Sequence, residues 1–83
     1  MKTKVKSLTK KETEKLKTIM DNLEAEAYYP FKKLSGGFSE ANVFNYDEDF
    51  IDIELKSGVQ NGTDSVIYSE QLLIDRHSME FIN

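Results

Sequence analysis

Cysteine is absent from this chain, which rules out a disulfide framework and a thiolate metal site. A secreted domain of this size without disulfides would be unusual, so a cytoplasmic setting is expected. Nor is there any run approaching the ~20 apolar residues that a membrane-spanning helix needs. Met1–Ser7 reads Met-Lys-Thr-Lys-Val-Lys-Ser and lacks the apolar stretch of a signal peptide. No membrane partner is expected.

Histidine is equally scarce: His77 stands alone, between Arg76 and Ser78. A Ser–His–Asp unit would need a nucleophile elbow such as G-x-S-x-G, and none occurs. There is no G-x-x-x-x-G-K-[ST], and Gly36-Gly37 lacks the flanking strand, helix and Lys of a phosphate loop. His77 therefore reads as an exposed turn residue. Carboxylate-pair hydrolysis would require a water-excluded cleft, which so small a core can hardly enclose. The chain is expected to be no enzyme and to hold no cofactor.

Arginine occurs once, against ten lysines, tryptophan not at all, and asparagine is frequent. Such usage is what an AT-rich genome produces, such as a low-GC bacterium, its phages or its mobile elements. Asn61-Gly62-Thr63 matches a glycosylation acceptor, but without a secretory signal it reads as a turn.

What the chain does have is charge laid down unevenly. Residues 1–33 carry nine Lys against five acids, whereas residues 34–83 carry ten acids against Lys56 and Arg76. The net charge is −4. Asymmetry of this kind suggests an electrostatic face or a partner of one sign.

With 83 residues and 39% apolar content, one domain with a modest core is expected over residues 1–83. Residues 1–7 read as a basic, mobile arm unless Val5 joins a sheet edge. Thr9 and Glu12 form the pattern of a capping box. Leu16, Ile19, Met20, Leu23 and Ala27 then draw one stripe at helical spacing, predicting a helix over residues 10–27 that Pro30 closes near Tyr28. Beyond the Ser35-Gly36-Gly37 turn, Asn42–Tyr46 reads as a strand. Phe50–Lys56 alternates Ile51, Ile53 and Leu55 with Asp52 and Glu54, the period of a half-buried strand. Ser57–Asp64 reads as a polar loop. In Ser65–Asp75, Val66, Tyr68, Leu72 and Ile74 share one parity that Glu70 interrupts. Either a bulge near Ser69–Gln71 or a short helix over Glu70–Arg76 would accommodate that interruption. Ser78–Ile82 reads as a last short strand. The expected fold is α+β: one N-terminal amphipathic helix packed on a three- to four-stranded antiparallel sheet. Its stripe should meet Ile51, Ile53, Leu55, Val66, Leu72 and Ile74, leaving the opposite face to water or a partner.

The strongest candidate site is the acidic cluster Asp47, Glu48, Asp49, Asp52 and Glu54. Asp52 and Glu54 should project from one exposed face about 6–7 Å apart, of the order of neighbouring phosphates on a nucleic-acid strand. A row of this kind could occupy a basic groove and steer association. The plain alternative is a solvated face carrying acids that discourage edge aggregation. A cation is disfavoured, because an EF-hand loop beginning at Asp47 would need Gly and Glu where Asp52 and Gly58 stand; no metal is expected. Tyr28, Tyr29, Phe31 and Phe38 cluster around Pro30 and should close the core edge. Tyr29 and Phe38 are the candidates for anchoring a protein partner. Lys10–Lys17 alternate with Glu12 and Glu14 at spacings that stabilise a helix. No aromatic residues are interleaved for base stacking, so direct nucleic-acid binding is disfavoured.

The expectation is a non-enzymatic protein-binding module whose acidic sheet docks on a basic, nucleic-acid-binding protein. Such a module would act as an inhibitor or nucleic-acid mimic from a phage or mobile element. Two alternatives stay open. One is a homo-oligomer, a homodimer at its simplest, in which the basic helix of one copy meets the acidic sheet of the next. The other is a nucleic-acid binder using the Lys arm.

Overall fold

The computed structural model describes residues 6–82. An α-helix, α1 (Lys10–Tyr28), leads through a 3-10 turn (Tyr29–Phe31) into three strands: β1 (Gly37–Tyr46), β2 (Phe50–Asn61) and β3 (Asp64–Asp75). Both pairings are antiparallel, in spatial order β1-β2-β3. This is the expected α+β arrangement, with the helix on one face of a three-stranded sheet.

The helix begins as its sequence dictates. Thr9 has extended backbone and its Oγ1 accepts from the Glu12 amide at 3.1 Å, while the Thr9 amide donates to Glu12 Oε1 at 2.9 Å. Two otherwise orphaned amides are thereby satisfied reciprocally. At the other end Pro30 has no N–H to continue the ladder, so the last turn tightens to 3-10 geometry.

The core is small and sits under the first half of the helix. Leu16, Ala41, Ile51, Ile53, Leu55 and Ile74 are buried, with Ile19, Met20, Leu23, Ala27, Val43, Tyr46 and Leu72 packed half-buried around them. In the antiparallel register Ile51 faces Ile74 and Ile53 faces Leu72, so alternate residues of all three strands meet the helix stripe. A helix of 19 residues spans about 28 Å, whereas strands of 12 reach about 40 Å; the element lengths are those observed. The distal half of the β2–β3 hairpin therefore outruns its cover. Val66 lies out there, 54% exposed, and is not the core residue its parity suggested.

Three other expectations are corrected. The stretch from Ser57 to Asn61 is strand, paired to β3 throughout and to β1 as far as Val59, and only Gly62 and Thr63 turn the chain. Gly62 has φ 62°, the positive value that a two-residue hairpin loop requires at its first position. Opposite β2, the β3 register runs unbroken through Glu70, so neither a bulge nor a helix occurs there. Glu70 faces Leu55 at the sheet margin and stays exposed, which removes any need for the backbone to re-aim it. The sheet's irregularity lies instead in β1, between Val43 and Asn45, where Phe44 is the extra residue. Finally, Ser78–Ile82 forms no strand. It contributes a single bridge, Phe81 to Ile74. The expected edge contact of Val5 lies outside the described residues, as does most of the basic arm.

Gly58, in the middle of β2, has φ 150°, and a Cβ on it would run into the Val66 carbonyl and its backbone. Gly58→Ala should therefore cost ~1–3 kcal/mol from backbone strain before any added clash. Urea unfolding monitored by circular dichroism checks this; an unchanged midpoint would show that β2 reaches this geometry without needing glycine.

Candidate functional site

The acidic turn between β1 and β2 is tightly specified by its own first residue. Asp47 Oδ1 accepts from the amides of Asp49 and Phe50, both at 2.8 Å, and the Asp47 amide donates to the Phe50 carbonyl at 2.9 Å. An Asx turn of this type lets a short polar side chain replace missing backbone partners. Asp49 is also engaged: its carbonyl accepts from the Arg76 amide at 2.9 Å, and its Oδ1 lies 3.2 Å from His77 Nε2. Both side chains of that last pair are well exposed, as expected for a turn histidine. Asp47 and Asp49 thus serve the fold, and Glu48 projects from the turn into solvent.

Behind this turn sits a residue that local sequence patterns gave no reason to single out. Arg76 is 8% exposed. Its Nε donates to Glu12 Oε2 at 2.9 Å and its Nη2 to Glu12 Oε1 at 3.2 Å, a two-pronged pair. Nη1 donates to the Asp47 carbonyl at 2.8 Å and Nη2 to the Ser7 carbonyl at 3.0 Å. The guanidinium also lies 5.5 Å from the centre of the Tyr46 ring, within cation–π range. Glu12, expected to pair with neighbouring lysines along the helix, is instead taken by Arg76. That hydrogen bond, followed by the one from the Thr9 amide, holds the Glu12 carboxyl at about 2. A hollow of about 320 Å³ borders this cluster, lined by Lys6, Thr9, Glu12, Glu48, Arg76 and His77. Its strongest charges, Glu12 and Arg76, neutralise one another.

The face of the sheet away from the helix is the less committed surface. Strand alternation puts Phe50, Asp52, Glu54 and Lys56 of β2 on it, between Glu40 and Asn42 of β1 and Ile67, Gln71 and Leu73 of β3. Glu54 pairs with Lys56 at 3.5 Å and Glu40 accepts from Asn42 Nδ2 at 2.8 Å. Asp52, half-buried, lines a shallow hollow of about 160 Å³ with Asn45, Tyr46, Asp47, Phe50 and Leu73. That hollow joins the acidic turn to the sheet face. Phe50, which lines it, is 41% exposed, and Phe44, the extra residue of the β1 bulge next to Asn45, is 59% exposed. The alternation of Phe50–Lys56 puts Phe50 on the parity of Asp52 and Glu54, whereas no sequence pattern marked Phe44, since aromatic residues in strands ordinarily read as core.

Of the residues singled out from the sequence, the structure brings Asp47, Glu48, Asp49, Asp52 and Glu54 to one end and one face of the sheet. It does not bring Tyr29 to them. Tyr29 follows the C-terminal end of α1, whereas the acidic turn lies beside the helix's N-terminal end through Arg76 and Glu12. Tyr29 is 70% exposed and carries Lys32 Nζ 4.3 Å above its ring. Phe38, half-buried, pairs with Gly58 and lines a hollow with Glu24, Ala25, Tyr28, Gly37 and Ser39. Phe31 stacks on Tyr68, ring centres 6.3 Å apart. Among the described residues no group of carboxylates or imidazole is placed to hold a metal ion, and no helix is long and apolar enough to cross a membrane. No family model matches the chain, and no curated protein or solved structure is found to match it either.

Proposed function

We propose that this protein is a non-enzymatic binding module whose uncovered sheet face docks on a basic protein surface. The observation that carries the reading is the composition of that face. Asp52, Glu54 and Glu40 stand on it against Lys56 alone, and the exposed rings of Phe44 and Phe50 lie at its acidic end. Fixed negative charge accelerates encounter with a basic partner, and aromatic side chains supply desolvated contact once the surfaces meet. Glu48 extends the charge beyond the turn; Asp47 and Asp49 chiefly hold the turn's shape. A partner that ordinarily grips phosphates would find carboxylates here at comparable spacing, which makes the module an inhibitor or nucleic-acid mimic. The Lys-rich, Arg-poor composition fits a cytoplasmic accessory protein of a phage or mobile element.

The test uses the protein as bait in an extract of its source, with Asp52→Asn/Glu54→Gln alongside. That pair of substitutions keeps shape and removes two charges. Wild type should capture a basic protein that the double variant captures less well. The on-rate of the variant should be lower by about three- to tenfold at 50 mM salt, converging near 300 mM as screening sets in. Identical on-rates at low salt would overturn the reading, as would direct binding to DNA or RNA in preference to protein.

A further inference from the structure

The two edges of the sheet are treated differently. On β1 the Ala41 amide donates to Glu24 Oε2 of the helix at 2.8 Å, and the Phe44 bulge breaks the ladder; both devices blunt an edge. On β3 only the end is covered. The Ile82 amide donates to the Leu73 carbonyl at 2.9 Å, and the Asp75 amide to the Glu80 carbonyl at 2.9 Å. Leu73 and Asp75 therefore turn their main-chain groups away from β2. By alternation Ser65, Ile67, Ser69 and Gln71 do the same. Among the described residues nothing pairs with those four on that side. The side chains along the open run are apolar at its centre: Val66, Ile67 and Tyr68 are 54%, 47% and 60% exposed. Glu70 is its one charged residue.

We propose that this edge is a self-association surface, at which β3 of a second copy adds antiparallel to β3 and makes a six-stranded sheet. The occupant and its register both follow from the chain itself. An antiparallel two-fold pair must match outward-facing residues with one another. Centred on Ile67, the pairing sets Ile67 against Ile67 of the partner subunit, and Val66 against the partner's Tyr68. The parts of these three side chains still open to solvent, Tyr68 already stacking on Phe31 of its own chain, then cover one another, with about six main-chain hydrogen bonds formed. In that register the partner's Gly62–Thr63 turn falls beside Gln71 and Leu72, just short of the segment that covers Leu73 to Asp75. Moving the centre to Tyr68 would drive the turn into that segment, so the covered end acts as a stop. The axis runs perpendicular to the sheet, which leaves both helices on one side and both acidic faces on the other. This pairing stands independently of the basic partner proposed above.

Sedimentation velocity from about 10 µM to 1 mM should show a monomer–dimer equilibrium in this range, as fits a small interface. Ile67→Lys should weaken the dimer by at least about tenfold. Ser69→Pro should do the same without adding charge, since it removes an outward N–H and none from the β2–β3 ladder. Circular dichroism of both variants should match wild type. Because the chain has no cysteine, Ile67→Cys offers a single thiol. On oxidation it should cross-link to its counterpart at an inter-Cα separation of about 5.5 Å, whereas Ser65→Cys, whose counterpart lies some four residues away along the pair, should not. A monomer throughout the concentration range would overturn the proposal, leaving the edge to a foreign strand. A dimer indifferent to Ile67→Lys and Ser69→Pro, or equal cross-linking at both cysteines, would overturn it too.

Discussion

Replacing Arg76 with methionine should lower the melting temperature by roughly 10–20 °C, the scale on which losing one member of a buried charged network unfolds a small domain. The cause is what the substitution leaves behind. Glu12 loses both prongs of its pair, and the carbonyls of Asp47 and Ser7 lose a charged donor. Lysine should restore only part of the loss, because a point charge cannot reach Glu12 and two carbonyls at once in fork geometry. Acid titration gives the argument a second, independent reading. The Glu12 carboxyl is lowered from 4.5 to about 2 in the folded protein. A group depressed on folding contributes stability that is present above its unfolded value and lost as pH falls through its folded one. Wild type should therefore lose stability between pH about 4.5 and 2, and Arg76→Met should flatten that limb. It should not abolish the limb. Asp75 is also lowered, by hydrogen bonds from the Ser78 and His77 amides, and those bonds survive the substitution. An unchanged melting temperature together with an unchanged acid limb would show that Arg76 holds nothing together.

The second large effect belongs to Leu16. It is 2% exposed, the one helix residue among the buried core, where it joins Ile51, Ile53 and Ile74. Leu16→Ala should cost ~2–5 kcal/mol through lost transfer energy and the cavity left behind. A domain of this size commands only ~5–10 kcal/mol in total, so partial unfolding at room temperature is expected. Leu23, half-buried farther along the stripe, should cost about half as much on truncation to alanine, in proportion to the area it hides. Thermal melts of the two variants settle the order. A Leu23→Ala variant less stable than Leu16→Ala would mean that the core lies farther along the helix than described.

How much of this was legible in the sequence depends on the range over which each residue finds its partners. The helix was readable because Thr9, Glu12 and the stripe from Leu16 to Ala27 are local signals. Phe50–Lys56 was readable for the same reason, its alternation being visible within one strand. Ser57–Asn61 was not. Its Ser, Gly and Asn residues suggest a loop, yet pairing to β3 throughout, and to β1 as far as Val59, holds them extended, a case of tertiary context overriding propensity. Residues 78–82 failed in the opposite sense, since strand-like composition found room for one bridge only. The acidic cluster was visible as a charge run, and its placement on the turn and the uncovered face followed the predicted alternation. What could not be read was the division of labour within it, with Asp47 and Asp49 spent on the turn. Nor could the clustering of Arg76 with Ser7, Glu12 and Asp47 be read, because no periodicity connects positions so far apart in the chain.

That separation has a kinetic consequence. Thr9 and Glu12 can cap the helix as soon as its first turns form, a local event on the submicrosecond scale. The contact between Glu12 and Arg76 spans 64 positions and requires the helix, the β1–β2 turn and the end of β3 to be in place together. Closing so large a loop is entropically costly early and nearly free once the sheet has assembled. Arg76 therefore works as a latch, fastened after the barrier has been crossed. Its interactions govern how long the native state lasts more than how fast it is reached. Glu12 belongs to both stages, first as the cap that starts the helix and afterwards as the catch on which the latch closes.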